Sequence, residues 1–268
     1  MSKVRSDVHP GAIFSTNNFG NIMVLEVKDT WNVTVAFLEH FCIVNVSAGN
    51  IRNGGVKNPM KPSVYGVGFI GIGPYKAWNG RSTKAYAVWT DMLRRVYAPP
   101  EEFVRRVYEG TSVHSHWHNF QNFAHWYYRK LEPFGVVDFK WHLDKDLLVP
   151  GNRQYGPETC CVIPHTINVL FTDHAFGRGN YPLGVSSQNG RRFQTVMTTS
   201  GKYTFVGSYE TIAEAQLAYW KRKFKAIQKT TIQYWQYLPE PLAFRLLTFG
   251  WKEAHDYYGE DAVIWHGR

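Results

Sequence analysis

The residues of this chain that are best suited to chemistry lie between positions 143 and 168. Two aspartates, Asp144 and Asp146, flank Lys145 at the end of a short apolar run. A Pro-Gly-Asn turn follows, and a second apolar run then leads into a short predicted helix that contains Asn168. This order is typical of a β-hairpin followed by a helix. Such a unit can hold one divalent cation between an aspartate of the first strand and an Asn or His of the helix.

Several short patterns in this stretch match one nuclease family. Leu-Asp-Lys-Asp begins at Leu143, Tyr-x-Pro-Glu-x-Cys begins at Tyr155, and an asparagine follows at position 168. With these residues the stretch resembles the ββα-metal core of HNH-type homing endonucleases carried by bacteriophages. The resemblance implies Mg²⁺-dependent cleavage of duplex DNA. It also implies that Asp144 and Asn168 are the metal ligands and that Asp144 belongs to the catalytic residues.

The chain departs from that family at two positions. Lys145 stands where better-known HNH enzymes have the histidine that acts as general base, and Thr159 replaces their central asparagine, with Asn152 nearby. Lysine is protonated at neutral pH, so Lys145 is better suited to bind a phosphate than to activate water. His142 or His165 could act as the substitute base. The alternative is a core retained for folding and DNA docking, in which the charged residues form an ion-paired turn.

The composition favours a polyanionic partner. The chain has 268 residues, a formal net charge of +9 and a pI near 9.4. Lys and Arg side chains bind nucleic-acid phosphates and release counterions, so this charge favours double-stranded DNA or another nucleic acid. A solvated basic surface without a partner is the alternative. Hydrophobic residues make up 44% of the chain, which is enough for the cores of two small domains or three very small ones.

Several classes of protein are disfavoured by the sequence. It contains no run of about eighteen apolar residues, so we expect no membrane span. No apolar stretch follows Met1 to Arg5, so we expect no secretory signal and place the protein in the host-cell cytoplasm, as a phage-encoded protein. Three cysteines, two of them adjacent, cannot form a disulfide framework, and the lack of a CxxC pair argues against a zinc site. Cys160 and Cys161 are therefore expected to be packed and reduced.

Residues 1–75 are expected to form a small β-rich module and a connector. Apolar residues alternate from Trp31 to Phe37, which places them on one face of a strand, and further β-rich runs lie on both sides. This pattern predicts a small antiparallel barrel or curled sheet. The glycine-rich run at 66–73 lacks Gly-Lys-Ser/Thr and a helix start, so it does not match a phosphate loop. It is predicted to be an extended connector whose backbone packs closely on another segment.

Residues 76–172 are expected to contain the HNH-like module together with additional helices. Ser82 or Thr83 is suited to cap a helix whose apolar residues recur at helical spacing. Further on, His114, His116 and His118 alternate, and on a strand this spacing would place them on one face, as a metal site requires. A predicted helix start directly after them would break that alignment. Contacts with solvent or phosphates are therefore preferred for these histidines.

Residues 177–228 contain a second family pattern. Three predicted strands precede a helix that begins with the capping box Thr211-Ile212-Ala213-Glu214. With Gly184-Val185, Gly207-Ser208-Tyr209 and the helix motif up to Tyr219, the segment resembles the AP2/ERF DNA-binding domain. The resemblance implies that the sheet enters the major groove and that the helix packs behind it.

The same resemblance implies which side chains contact DNA. The candidates are Ser187, Arg191, Arg192, Gln194, Thr198, Lys202 and Tyr203. The family's arginine-rich first strand is replaced by Ser186-Ser187-Gln188, so phosphate contacts are better supported than base contacts.

Residues 229–268 form an aromatic tail in which a helix is predicted after Pro241. This tail is expected to pack on the other modules or to offer a surface to a host protein. The whole pattern predicts an α+β fold, with a β-rich N-terminal module, a central HNH-like ββα module and an AP2-like sheet with one helix.

Three hypotheses follow from this organisation. The first is a phage endonuclease of the HNH-like homing type that uses Mg²⁺. The second is a catalytically degenerate DNA-binding protein. The third is a phage protein that binds host machinery, such as RNA polymerase, through the aromatic tail and the N-terminal β module.

Overall fold

The computed structural model describes residues 6–39, 42–171, 181–187, 189–199 and 202–258; the side chains of residues 199, 202 and 250–258 are not included in the description. The chain divides into two compact units, unit 1 (residues 1–128) and unit 2 (residues 129–268). Helices and several small sheets are mixed in both, which confirms the predicted α+β class. The division falls inside the segment 76–172 that was expected to form one module. None of the helices in the described part of the chain has the length and apolar character needed to cross a membrane.

Unit 1 begins with a four-stranded antiparallel sheet. Its elements are β1 (Ile13–Ser15), β2 (Asn21–Val27), β3 (Val33–Phe37), β4 (Ile43–Val46), α1 (Ala48–Arg52), α2 (Lys84–Tyr97), α3 (Glu102–Tyr108), β5 (Ser112–Val113) and α4 (Phe120–Leu131). The strands of the sheet pair in the order β1-β2-β3-β4, so each strand lies beside its neighbour in the sequence. Val33, Val35 and Phe37 are buried, as their alternation predicts. The residues that separate β2 from β3 form a tight turn.

Trp31 does not belong to the buried face of β3, contrary to the prediction from alternation. Its side chain is 75% exposed. The cause lies in the preceding turn, where a carboxylate oxygen of Asp29 accepts hydrogen bonds from the backbone N–H groups of Trp31 (2.7 Å) and Asn32 (3.0 Å). This turn delays the start of the strand to Val33, because both N–H groups are used before the ladder begins.

The glycine-rich run packs closely on the start of α4, which confirms the predicted connector. Gly71 has a φ of +73°, and a Cβ atom at this position would overlap the side chain of Asn119. The buried Gln121 donates to the carbonyl oxygens of Ile70 (3.2 Å) and Tyr75 (2.9 Å) and accepts from the N–H of Tyr75 (2.9 Å). Glycine is needed here because the backbone carries the contact and a side chain would block it.

Unit 2 contains a hairpin, a three-stranded sheet and the longest helices. Its elements are β6 (Trp141–Asp144), β7 (Gln154–Tyr155), β8 (Cys161–Pro164), α5 (His165–Asn168), β9 (Val185–Ser186), β10 (Phe193–Thr199), β11 (Lys202–Tyr209), α6 (Ile212–Gln233) and α7 (Glu240–Tyr258). β6 pairs antiparallel with β8, and β9, β10 and β11 form a sheet in the order β11-β10-β9. The capping box at Thr211 and Glu214 forms as predicted at the start of α6.

The hairpin and the C-terminal helices share one hydrophobic core. Buried residues of the hairpin region, such as Ile163 and Ile167, belong to the same cluster as Ile227 of α6 and Leu242 and Leu246 of α7. α6 continues to Gln233, past the boundary expected at residue 228, because buried residues recur along its last turns. The tail therefore packs on the hairpin, which is one of the two outcomes predicted for it.

Candidate functional site

The hairpin and α5 bring three of the predicted catalytic and metal-binding side chains together. Nδ2 of Asn168 lies 3.2 Å from Nδ1 of His142, and the imidazole rings of His142 and His165 have centroids 4.3 Å apart. We call these three residues the His–Asn cluster. Asp144 follows His142 by two positions on β6, so its side chain leaves the same face of the strand.

The positions of these residues follow from the apolar residues around them. Ile163 and Ile167 are fully buried and fix the end of β8 and the single turn of α5. The backbone N–H of His165 donates to the carbonyl oxygen of Lys140 (2.8 Å), which ties the start of α5 to the residue preceding β6. His165 is exposed, whereas His142 and Asn168 are half-buried. A substrate or water molecule can therefore reach His165 more easily than His142.

Asp144 combines a constrained geometry with an unfavourable electrostatic environment. One of its carboxylate oxygens accepts hydrogen bonds from the backbone N–H groups of Asp146 (3.0 Å) and Leu147 (2.7 Å). Burial nevertheless raises the pKa of Asp144 to about 6, and the nearby carboxylate of Asp146 also raises it, although the hydrogen bond from Leu147 opposes both effects. A raised pKa means that the ionised carboxylate is destabilised by its surroundings. A bound cation would offset that free-energy cost.

Lys145 and Asn152 hold the loop that follows β6. The ammonium group of Lys145 lies 2.8 Å from a carboxylate oxygen of Asp146 and 3.3 Å from the carbonyl oxygen of Asn152. Nδ2 of Asn152 donates to the carbonyl oxygens of Lys145 and Gln154, each at 2.6 Å. The hydroxyl of Thr159 donates to the carbonyl oxygens of Gln154 (2.8 Å) and Gly156 (3.5 Å). The side chain of Asn152 therefore holds the two ends of this loop together. The Pro-Gly-Asn turn in the sequence indicated this role only indirectly.

Two side chains of this region carry oxygen donors that could hold a cation. Among the described residues, no group of three or more His, Cys, Asp or Glu side chains could hold a metal ion. Mg²⁺ keeps several of its water ligands and often uses only one or two carboxylates, so it does not require such a group. Asp144 and the amide of Asn168 provide oxygen donors of the type that it prefers.

The two adjacent cysteines are part of the core, as predicted. Both thiols are free and buried. Burial raises the pKa of Cys160 to about 12 and raises that of Cys161 as well. Protonated thiols are poor metal ligands and poor nucleophiles. Their function is therefore to pack the hairpin.

His114, His116 and His118 do not align on a strand. Residues 115–118 form a 3₁₀ turn, so the alternation that would have placed the rings on one face is lost. Nε2 of His118 lies 3.1 Å from the hydroxyl of Tyr97, and Nδ1 of His116 lies 3.3 Å from Nδ2 of Asn122. These contacts favour the predicted non-metal role for the histidines.

The second candidate site is the face of the sheet β9-β10-β11 that points away from α6. α6 covers the opposite face, where the hydroxyl of the buried Thr195 donates to the carbonyl oxygen of Ala215 (2.7 Å). Gly184 allows the chain before β9 to pass directly over the ring of Tyr219, because a Cβ atom there would overlap the ring. We call the uncovered side the open face.

The structure places the predicted DNA-binding residues in two groups. Gln194, Thr198 and Tyr203 are exposed on the open face. Ser187, Arg191 and Arg192 lie at the turn before β10, with Arg191 and Arg192 exposed. The side chain of Lys202 lies outside the description, and its backbone pairs with Thr199.

Two of the residues at this turn have local contacts. The hydroxyl of Ser187 donates to the carbonyl oxygen of Arg192 (2.7 Å) and accepts from the N–H of Gly190 (3.0 Å), so it shapes the turn. The guanidinium of Arg192 donates to the hydroxyl and the carbonyl oxygen of Ser208, both at 3.2 Å. Arg192 is thereby held at the edge of the open face.

Sequence reasoning missed two residues of the open face, Val196 and Phe205. They pair across β10 and β11, and Phe205 is 59% exposed. The signal that could have identified them was the strand alternation, which places them on the same side as Gln194 and Tyr203.

Comparison of the chain with protein-family models, with curated proteins and with solved structures gives no match. The proposed function therefore rests on the two sites themselves. Both lie in unit 2, and the open face belongs to a segment where basic residues are concentrated: between residues 181 and 233 there are eight Lys and Arg and two Asp and Glu.

Proposed function

We propose that the protein binds duplex DNA through the open face and cleaves a phosphodiester bond at the His–Asn cluster, with Mg²⁺ held by Asp144 and Asn168. This would be the activity of a phage-encoded HNH-like homing endonuclease. The observation that carries the proposal is the contact between Asn168 and His142. It joins the hairpin to the helix and gathers two imidazoles and a candidate metal ligand in one place.

Each side chain has a role that follows from its surroundings. Bound Mg²⁺ would polarise the scissile phosphate and stabilise the leaving oxygen. His165 is exposed and accepts the proton of the attacking water, while His142 is oriented by Asn168. Asp144 is held by two backbone N–H groups, which fixes its carboxylate before a cation arrives. Lys145 supports the loop through its bonds to Asp146 and Asn152, so the proposal does not require it as a base.

A DNA-binding protein without nuclease activity is the second candidate. It is favoured because Asp144 and Lys145 both form hydrogen bonds to Asp146 within their own loop. Such an ion-paired turn could serve only to shape the hairpin. The hypothesis of a host-protein partner stays a prediction. Tyr234 and Tyr237 of the tail pack against Phe139 in unit 2, whereas Trp235 and Phe244 are partly exposed aromatic residues among the described side chains of the tail.

The test is a nicking assay on supercoiled plasmids that contain a library of random inserts, which covers a rare target site. Wild-type protein is compared with Asp144→Asn and Asn168→Ala, each with Mg²⁺ and with EDTA. Asp144→Asn is the sharper variant, because its amide oxygen can still accept both backbone hydrogen bonds while the charge is lost.

The proposal predicts nicking by the wild type alone, and only with Mg²⁺. Equal nicking by all three proteins would reject the proposed site. Salt-dependent binding of duplex DNA by all three without cleavage would favour the second candidate.

A further inference from the structure

The side chains of the open face are arranged in three rows across the strands. Gln194 pairs with Ser186 on one side and Ser208 on the other, which forms a polar row. Val196 pairs with Phe205, which forms an apolar row next to it.

Thr198 pairs with Tyr203 and forms the third row. Successive rows are separated by two residues along β10, or about 6.5–7 Å, because a strand rises 3.2–3.4 Å per residue. On β11 the first two rows are three residues apart, because the register of the two strands shifts between Thr195 and Val196. An apolar row therefore lies between two rows that can form hydrogen bonds.

The exposure of the aromatic side chains on the open face distinguishes them from ordinary core residues. Phe205 is 59% exposed and Tyr203 is 69% exposed, although α6 buries the opposite face of the same strands. Exposed aromatic side chains that stand together on a regular surface are typical of a binding site.

The charge of the surrounding segment identifies the kind of partner. Between residues 181 and 209 the sequence contains three basic residues and no acidic residue. Arg192 is fixed at the edge of the open face by its two bonds to Ser208. A surface that combines positive charge with an apolar centre is complementary to the major groove of DNA, which offers phosphates at its rims and base edges in its floor.

We infer that the open face selects A·T base pairs by contacting thymine methyl groups with Val196 and Phe205 and an adenine edge with Gln194. This inference rests on the proposed binding of duplex DNA. Thymine alone among the four bases presents a methyl group in the major groove, and apolar side chains such as Phe contact it. Gln is suited to the N6 and N7 atoms of adenine.

The spacing of the rows agrees with the spacing of base pairs. Two base-pair steps span about 6.8 Å along the helix axis. This matches the two-residue rise from Gln194 to Val196 along β10 when that strand follows the groove. An adenine contact and a thymine methyl contact two steps apart are therefore geometrically compatible, and Phe205 becomes a residue that determines specificity.

The experiment measures the contribution of the thymine methyl group to binding while the hydrogen-bonding groups of the base pair stay the same. Binding of the full-length protein is measured on three labelled duplexes of equal length: alternating A·T, the same sequence with uracil in place of thymine, and alternating G·C. Uracil lacks only the methyl group, so the hydrogen-bonding pattern is unchanged. Phe205→Ala is compared with Phe103→Ala, which removes another exposed phenylalanine, from α3 in unit 1.

The thymine duplex is expected to bind more tightly than the uracil duplex by about fourfold for each methyl group contacted. Phe205→Ala should reduce that ratio, and Phe103→Ala should leave it unchanged. Salt-dependent binding with equal affinity for thymine and uracil would overturn the inference and leave the proposed DNA binding intact. Tighter binding of single strands than of duplexes, as expected for aromatic stacking on bases, would also overturn it. Loss of all salt-dependent DNA binding would overturn both.

Discussion

Asn168 of α5 and His142 of β6 lie 3.2 Å apart, measured from Nδ2 to Nδ1, although 25 residues separate them in the sequence. This contact connects the first strand of the hairpin to the helix that follows the second strand. It fixes the orientation of the His142 ring, and the ring in turn packs against His165. Of the two histidines, the exposed one is the better candidate for contact with water and substrate.

His165→Ala is expected to slow DNA cleavage by roughly 100- to 10,000-fold, because the variant removes the proposed general base. The exposed position of His165 means that the fold should be retained, which circular dichroism checks. Added imidazole should restore part of the rate, since it can occupy the vacated space and accept the proton. His9→Ala removes an exposed histidine of unit 1 and serves as the control. An unchanged rate for His165→Ala would exclude the assigned role.

The pKa of Asp144 predicts how stability depends on pH. Burial raises this pKa to about 6, above its value in the unfolded chain, so the folded protein binds the proton more tightly. The corresponding stabilisation is fully present below about pH 4 and is lost as the pH rises through about 6. Chemical denaturation should show this loss as a decrease in unfolding free energy on the order of 2 kcal/mol.

Asp144→Asn should abolish that decrease, because the amide does not ionise and can still accept the hydrogen bonds from Asp146 and Leu147. Above about pH 6 the variant should be at least as stable as the wild type. The assignment fails if the two proteins show the same pH profile. Measurements are made with EDTA so that bound cations do not contribute.

The same pair of proteins tests the metal site without an activity assay. Near neutral pH, added Mg²⁺ should raise the melting temperature of the wild type, because binding to the folded state stabilises it by about 2.7 kcal/mol at a hundredfold excess over the Kd. Asp144→Asn should show little or no increase, since the charged ligand is gone. An equal increase in the melting temperature of both proteins would mean that Mg²⁺ binds at a site that does not include Asp144.

Asn152→Ala should destabilise the protein by about 2–3 kcal/mol in chemical denaturation. The change removes two hydrogen bonds of 2.6 Å to the carbonyl oxygens of Lys145 and Gln154 and leaves both acceptors less well satisfied. Asn45→Ala, at an exposed position on β4, is the matched control and should change stability by less than about 0.5 kcal/mol. A cost for Asn152→Ala as small as that of the control would mean that Asn152 does not brace the loop.

Local signals allowed much of the fold to be predicted from the sequence. The capping box at Thr211 and Glu214 starts α6, and Thr83 caps α2 through the N–H of Tyr86 (3.4 Å). The close packing of the glycine run was also correctly predicted, because glycines that recur in an extended segment indicate an approach of backbone to another element. These features depend on residues a few positions apart or on steric properties of single residues.

The sequence was less informative where a turn interrupts a periodic pattern and where distant residues decide the structure. Trp31 follows the alternation of β3, but its N–H group donates a hydrogen bond to the carboxylate of Asp29, and Trp31 therefore lies outside the strand. The pairing of His142 with Asn168, and of Val196 with Phe205, depends on tertiary geometry. Periodicity assigns a residue to a face, but it does not show what covers that face or which distant side chain lies opposite.

Arg192→Ala should weaken DNA binding to a similar degree on every sequence, because a guanidinium at the edge of the open face is placed to contact a phosphate and not a base. In a plot of log K against log salt concentration, the slope should become less steep by about 1, since one fewer counterion is released. Arg105→Ala on α3 changes the net charge by the same amount in unit 1 and should leave the slope unaltered. If both variants lower the slope equally, the effect is one of overall charge, and the edge of the open face is not where DNA is bound.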